Sequence, residues 1–211
     1  MAREKKERKL TEAEQKRLEE FNANCEVLES LGYRRTDLSI SIFWANVIAI
    51  VAVIALFVIC LPLFNLLHPN ASFVIRDLWI FAYFAAYIVL IVVHELIHGL
   101  TWSFFAPGRF KDIAFGIMRD SFTPYCTCTM PLEKTPYILG ALAPLVILGI
   151  IPLVAAFIVG SIPLLFAGIL MTDGAAGDIM IVAKILAHKT TSSDVLLYDH
   201  PTAGGSVIFE R

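Results

Sequence analysis

Residues 78–105 have the sequence LWIFAYFAAYIVLIVVHELIHGLTWSFF, and the only charged or imidazole side chains among them are His94, Glu95 and His98. An α-helix of about 20 apolar residues spans the roughly 30 Å hydrocarbon core of a bilayer. This stretch therefore predicts a transmembrane helix that carries three ionisable groups within five positions.

Three further apolar stretches, Ile40–Phe64, Tyr137–Gly160 and Ile162–Ala187, are also long enough to cross a membrane. The chain as a whole is 57% hydrophobic and 17% charged, with a mean hydropathy of +0.71. We therefore predict an all-α polytopic membrane protein with about four transmembrane helices. Four cysteines and a net charge of −2 argue against a disulfide-stapled secreted domain and against a nucleic-acid-binding protein.

The charged residues divide the chain into three parts. Residues 1–39 hold nine Lys and Arg and nine Asp and Glu, and are predicted to form a cytoplasmic, charged, amphipathic helical segment. Residues 40–187 are predicted to form the membrane domain, and residues 188–211 a cytoplasmic tail. With both termini in the cytoplasm, 16 basic residues lie inside and only Arg76 lies outside, so the positive-inside rule favours this orientation.

Short strand-like segments lie between the second and third spans and in the tail. In the loop 106–136, Lys111–Met118 and Pro124–Met130 are rich in β-branched, aromatic and Cys residues, which favours a small hairpin. Asp194–Tyr198 and Ser206–Phe209 flank a Pro-Thr-Ala-Gly-Gly turn and suggest a second one.

The spacing of His94 and His98 is typical of a zinc site. Residues four apart on a helix project from one face, as two ligands of a tetrahedral Zn²⁺ must. Glu95 lies about 100° around the helix, close enough to act as a general base. Buried histidines can also serve as packing residues, but ionisable groups cost about 2.5–3.5 kcal/mol each at the centre of a span, and a metal offsets that cost.

The third ligand is expected on the fourth span, where Asp173 and Asp178 are the candidates. At 1.5 Å per residue, His94 and Asp178 lie roughly 16 and 13 Å from the cytoplasmic ends of their helices. These similar depths favour Asp178 as the ligand, and Asp173 is then expected to line the site or to face the substrate. The small residues at 174–177 are expected to let this helix approach the second span closely.

These features resemble intramembrane zinc metalloproteases of the site-2 type, and more closely the zincin peptidase family of small bacterial membrane proteins. The resemblance covers about Leu78 to Phe209 and rests on the following segments: His94-Glu95-Leu96-Ile97-His98, Pro124–Leu132, Ala143-Pro144 and Gly177-Asp178. It implies Zn²⁺ as cofactor, His94, His98 and Asp178 as ligands, Glu95 as general base, and a location in the bacterial cytoplasmic membrane. Site-2 proteases usually carry Asn and Pro shortly before an Asp-Gly, whereas here the Asp-Gly is Asp173-Gly174 and those Pro residues are missing.

The predicted function is zinc-dependent hydrolysis of peptide bonds in membrane proteins or peptides. The expected partners are such a substrate and the lipid bilayer, with no nucleic acid, and an edge of the predicted hairpin is expected to receive the substrate as an added strand. Two alternatives remain: a zinc-binding sensor without proteolytic activity, and a small ion-coupled transporter that uses His94, Glu95 and Asp178 as an ion path.

Overall fold

Helices form most of the chain in the computed structural model, which describes residues 11–72, 77–118, 123–190 and 192–211. They are α1 (Glu12–Ser30), α2 (Ile42–Leu67), α3 (Asp77–Ser103), α4 (Lys134–Val159), α5 (Ile162–Gly174) and α6 (Ala176–Ala187). Among the described residues, α2, α3 and α4 are each long and apolar enough to cross a membrane. The predicted fourth helix, 162–187, is instead a pair of helices bent by 45° at Ala175, so the number of possible spans is three or four.

The long helices direct large apolar side chains outward. Leu66, Phe81 and Val58 are 77%, 72% and 67% exposed, and many neighbouring Ile, Leu and Phe residues are also exposed. A contiguous apolar surface of this kind is unfavourable in water and suits a lipid environment.

Helix α4 changes its winding between Pro144 and Pro152. Residues Leu145–Ile150 form a π-helical stretch that follows Pro144 and precedes Pro152. Proline has no backbone N–H and interrupts the i→i−4 hydrogen-bond ladder, and π-helical turns occur at such irregularities. Helix α5 packs closely against the end of α4 that follows this stretch. A Cβ on Gly168 of α5 would lie 2.6 Å from the Leu153 backbone nitrogen of α4.

The described residues contain two antiparallel sheets. Their strands are β1 (Arg34–Asp37), β2 (Ile113–Met118), β3 (Thr123–Cys128), β4 (Leu132–Glu133), β5 (Val195–Asp199) and β6 (Ser206–Glu210). One sheet has the order β1-β6-β5-β4, and the other is the hairpin β2-β3. Neither β1 nor β4 was predicted from the sequence. The N-terminal segment and the tail were predicted as separate parts, whereas β1 pairs with β6 of the tail.

The four-stranded sheet lies between α1 and the apolar helices. Tyr198, Val207 and Phe209 pack on one face with Phe21 and Leu28 of α1. The opposite face carries residues such as Leu197 and Ile208, which pack with residues of α3, α4 and α6. Because side chains alternate along a strand, Asp199 lies on the same face as Leu197 and is directed towards the helices.

The hairpin β2-β3 packs against α3 next to the two histidines. Gly116 lies opposite Tyr125 and Ala114 opposite Thr127. Both strands are shorter than predicted, because Arg109–Asp112 forms a 3₁₀ turn before β2 and β3 ends at Cys128. The hairpin approaches α3 so closely at Gly99 that a Cβ there would lie 2.6 Å from the Phe115 ring.

The N-terminal segment contains one helix in its described part, and both of its ends follow from local sequence. The Thr11 hydroxyl accepts a hydrogen bond from the Glu14 backbone, and the Glu14 carboxylate accepts one from the Thr11 backbone, which forms a capping box. Gly32 follows the helix with φ +92°, a conformation that glycine adopts without strain. Residues 1–10 of the predicted segment lie outside the described residues.

Candidate metal centre

Helix α3 places the imidazoles of His94 and His98 side by side. Their Nε2 atoms are 3.1 Å apart, and the two residues are only 7% and 4% exposed. The i, i+4 spacing puts both side chains on the buried face of the helix, as the sequence predicted.

Asp178 is the third member of this cluster, and the bend at Ala175 determines its position. Helix α6 begins at Ala176, so Asp178 lies in its first turn. One Asp178 carboxylate oxygen, Oδ2, is 3.2 Å from His94 Nε2 and 3.4 Å from His98 Nε2. The ligand atoms of the three residues all lie within 4.8 Å of one another.

The spacing of these three atoms fits a zinc ion. Tetrahedral coordination with bonds of about 2.0–2.1 Å places neighbouring ligand atoms about 3.3–3.4 Å apart. The three observed separations are 3.1, 3.2 and 3.4 Å. Two imidazole nitrogens and one carboxylate oxygen are also the donor types that catalytic zinc sites use, with a fourth position left for water or substrate.

A backbone carbonyl fixes the orientation of His98. Its Nδ1 is 2.8 Å from the carbonyl oxygen of Gly140, and because a carbonyl can only accept, Nδ1 carries the proton. In the neutral ring Nε2 then presents a lone pair to the Asp178 carboxylate, an arrangement that is repulsive without a cation between them. A cation at the centre of the cluster would remove this repulsion.

Two aromatic side chains support His98 from behind. The Trp102 ring stacks on His98 with centroids 5.2 Å apart and an interplanar angle of 18°, and Tyr137 stacks on the other side of Trp102 at 5.6 Å. The Trp102 indole N–H donates to the Tyr137 carbonyl at 3.1 Å. Neither Trp102 nor Tyr137 was predicted from the sequence as part of the site, although Trp102 follows His98 by four positions and so lies on the same helix face.

Glu95 lies beside the cluster and borders the same cavity as the three candidate ligands. Its carboxylate accepts a hydrogen bond from the backbone N–H of Cys126 on β3. The residue predicted as general base is therefore held at the edge of the hairpin and next to the two histidines.

Asp173 lies outside the cluster of three candidate ligands. It is on α5, before the bend, and it is near Tyr87, two helical turns before His94 on α3. Within the described part of the chain, its buried Oδ1 atom has no hydrogen-bond partner. The structure thus separates the two aspartates that the sequence left as alternatives.

The two glycines around the bend have a different role from the one expected. A Cβ on Gly174 or Gly177 would have nothing within 4 Å, and both residues line the cavity. The expectation that they allow close packing against the second span is therefore wrong. Ala175 and Ala176, in contrast, are buried.

The far end of β3 is held by Asp199 of β5. One carboxylate oxygen accepts the Cys128 backbone N–H at 3.0 Å, and the other accepts the Tyr137 hydroxyl. Burial raises the pKa of Asp199 above its usual value, although these hydrogen bonds oppose the rise. Burial also raises the pKa of the Cys128 thiol to about 12. No pattern in the sequence indicates that Asp199 lies here.

A cavity of about 440 Å³ connects the cluster with the N-terminal helix. Besides the site residues, its lining includes Arg17 of α1 and Tyr125 of β3. The Arg17 guanidinium donates to the Tyr125 hydroxyl and lies 4.7 Å from the centre of its ring. Helix α1 therefore contacts the same strand that holds Glu95.

Two buried histidines and an aspartate provide the donor atoms, and a glutamate lies beside them in the sequence and in space. This arrangement defines a candidate metallopeptidase site of the zincin class. The chain belongs to the family described as "Putative zincin peptidase", whose model matches residues 87–193. The resemblance to the zincin peptidase family is thereby confirmed, and the family indicates a metallopeptidase, whereas the resemblance to site-2 proteases stays a prediction. No curated protein and no solved structure shows a significant match to the chain.

Proposed function

We propose that this protein is a zinc-dependent peptidase that hydrolyses peptide bonds of membrane proteins or peptides, in or near the membrane. The observation that carries the proposal is the triangle formed by His94 Nε2, His98 Nε2 and Asp178 Oδ2, with sides of 3.1–3.4 Å. These three residues would hold the ion. Bound there, zinc would supply a Lewis acid and lower the pKa of a coordinated water towards 7.

The remaining chemistry belongs to Glu95. Its carboxylate takes a proton from the attacking water and delivers it to the nitrogen of the leaving amine. The Cys126 N–H that donates to this carboxylate fixes its direction. Asp173, whose buried Oδ1 atom has no hydrogen-bond partner among the described residues, lines the same cavity, where it would face the substrate.

The edge of β3 that faces away from β2 is our candidate for holding the substrate in an extended form. The Cys126 and Cys128 N–H groups on this edge donate to Glu95 and Asp199 rather than to β2, so the edge borders the cavity, and a substrate strand would pair with its backbone carbonyls. A helical substrate hides its carbonyls in its own hydrogen bonds, and adding it as a strand would expose the scissile bond beside Glu95. Between the two predicted strands, this observation favours β3 over β2.

We further propose that α2, α3, α4 and the bent α5-α6 pair span the bacterial cytoplasmic membrane with both termini in the cytoplasm. The support is the asymmetry of 16 basic residues against one and the apolar surface of the long helices. Reporter fusions at the N-terminus, after Pro107 and at the C-terminus should all report a cytoplasmic location. A periplasmic signal from either terminus would contradict this orientation.

The metal is tested by measuring zinc in the purified full chain by mass spectrometry. We expect about one zinc per chain in the wild type and in Asp173→Ala, and loss of zinc in His94→Ala and Asp178→Ala. The two aspartate variants form a matched pair, since they lie on either side of the same bend. A wild type without stoichiometric zinc would refute the proposal, and zinc loss in Asp173→Ala alone would reassign the ligand.

The activity is tested by comparing membrane proteomes of cells that express the wild type or Glu95→Gln. Glu95→Gln should retain zinc and let uncleaved substrate peptides accumulate, whereas the exposed Glu29→Gln should behave as the wild type. If no peptide accumulates while zinc is bound, the protein is a zinc-binding sensor. If zinc is absent and ion flux depends on His94 and Asp178, it is a transporter.

A further inference from the structure

Asp199 is a partly buried residue of the candidate site whose carboxylate the proposed chemistry does not use. It lies in the tail, after the end of the region that the family model matches, and it borders the same cavity as His94, Glu95 and His98. Its hydrogen-bond partners, Cys128 and Tyr137, belong to the site itself, so the role of Asp199 can be inferred from the positions of these partners.

The contacts of Asp199 connect it to two separate parts of the site. One oxygen accepts the Cys128 N–H at the edge of β3 that faces away from β2, two residues from the Cys126 N–H that donates to Glu95. The other oxygen accepts the Tyr137 hydroxyl, and the Tyr137 ring stacks on Trp102, which in turn stacks on His98. The tail is thereby joined to the strand edge and to a candidate metal ligand.

We propose that Asp199 is a positioning residue of this site, which holds the β3 edge through Cys128 and the His98 ring through Tyr137 and Trp102. This inference rests on the proposed zinc site. Its physical basis is that the partners behind a metal-binding histidine fix the orientation of the ring, and their loss typically weakens metal binding 10- to 100-fold. Asp199 acts on the His98 ring through two intervening side chains, Tyr137 and Trp102, so the lower end of that range applies.

The chain offers a matched control for this arrangement. Tyr33 donates its hydroxyl to Asp194 at 2.8 Å, which makes a second tyrosine-aspartate pair in the same part of the fold. Asp194 precedes β5, as Asp199 ends it, and neither Tyr33 nor Asp194 lines the cavity. Variants of this pair report the general cost of losing such a contact.

The experiment measures two properties of the full chain in detergent for Asp199→Ala, Asp199→Asn, Tyr137→Phe, Asp194→Ala and Tyr33→Phe. The first property is hydrogen exchange of the peptide 123–129 without metal, followed by mass spectrometry. The second is zinc affinity by competition with a chelator, together with the visible spectrum of the Co²⁺-substituted protein.

Asp199→Ala should increase amide exchange at Cys128 by about tenfold, weaken zinc binding by about tenfold and alter the Co²⁺ spectrum. Asp199→Asn should keep hydrogen exchange and metal binding close to those of the wild type. Its side-chain carbonyl oxygen can accept the Cys128 N–H, while its amide donates to the Tyr137 oxygen. Tyr137→Phe should change the metal readouts and leave exchange at β3 unchanged. Both control variants should match the wild type.

Unchanged exchange and an unchanged Co²⁺ spectrum in Asp199→Ala would overturn the inference, as would equal changes in Asp194→Ala. If Asp199→Ala does not fold, Asp199→Asn and Tyr137→Phe decide by the same criteria. A wild type that binds no zinc would refute the proposed function and the His98 half of this inference. Hydrogen exchange would still decide the β3 half, so the two failures are distinguishable.

Discussion

Replacing Gly140 with alanine is expected to disturb the site, although Gly140 is not itself a candidate ligand. A Cβ at this position would lie 2.1 Å from the Cδ1 and Nε1 atoms of Trp102, whereas ordinary contacts begin near 3.4 Å. The indole would therefore have to move by about 1.3 Å, the difference between these two distances. The ring cannot shift freely, because it lies between His98 and Tyr137 and donates to the Tyr137 carbonyl.

The expected magnitude follows from two opposing terms. Overpacking a buried site costs about 1–3 kcal/mol, while replacing glycine by alanine within a helix gains about 1 kcal/mol. The net loss is therefore at most about 2 kcal/mol, which should lower the melting temperature of a chain of this size by up to about 8 °C. Since the Gly140 carbonyl also accepts the His98 Nδ1–H, we expect zinc affinity to fall by about tenfold.

Two other glycines separate these effects. Gly168→Ala would place a Cβ 2.6 Å from the Leu153 backbone, away from the site, so it should lower the melting temperature and leave zinc affinity unchanged. Gly174→Ala meets nothing within 4 Å and should change neither quantity by much. The assay is thermal unfolding in detergent together with chelator competition. If Gly140→Ala keeps wild-type zinc affinity, or if Gly168→Ala loses it equally, the proposed coupling between Trp102 and His98 is refuted.

Three further predictions concern the hairpin and the tail. Burial raises the pKa of Cys128 from 9.0 to about 12, so its thiolate fraction falls by about a thousandfold and iodoacetamide should label it far more slowly in the native than in the unfolded chain. Equal labelling rates would contradict the buried position of this thiol. Burial likewise raises the pKa of Tyr198 to about 12, so the folded chain keeps protons that the unfolded chain releases above about pH 9, and the free energy of unfolding should fall from pH 9 towards 12. A flat profile in alkaline urea titrations would be inconsistent with these shifts. Finally, a double-mutant cycle of Arg17→Ala and Tyr125→Ala should give a coupling free energy of about 0.5–2 kcal/mol, because the guanidinium both donates to the hydroxyl and lies over the ring; additive effects would show that α1 does not hold β3.

The sequence was informative wherever the relevant pattern is local. Apolar stretches of about 20 residues predicted the long helices, and the i, i+4 spacing alone placed His94 and His98 on one face. The comparison of depths favoured Asp178 over Asp173, and the structure brings Asp178 to the histidines. Each of these inferences needs only the geometry of a helix and the thickness of a bilayer.

The features that the sequence did not indicate depend on contacts between distant segments. β1 and β6 are paired although Arg34 and Glu210 are at opposite ends of the chain. Asp199 reaches Cys128 and Tyr137 only because β5 is aligned by its neighbours in the sheet. The sequence of one strand does not show which other strand it pairs with. In the sequence, Asp199 therefore looks like any other polar residue of a loop.

The bend at Ala175 explains how two aspartates five residues apart can have different environments. On one straight helix, Asp173 and Asp178 would point about 140° apart, and neither would gain from the helix termini. The bend creates a new N-terminus in which Asp178 occupies the first turn, where free backbone N–H groups and the helix dipole stabilise a carboxylate in its ionised form. An interrupted helix among apolar segments is tolerated only where its backbone is buried in protein or faces a polar cavity, and here Gly174 and Gly177 line that cavity. The interruption of α5-α6 and the position of the third candidate ligand are therefore consequences of the same local structure.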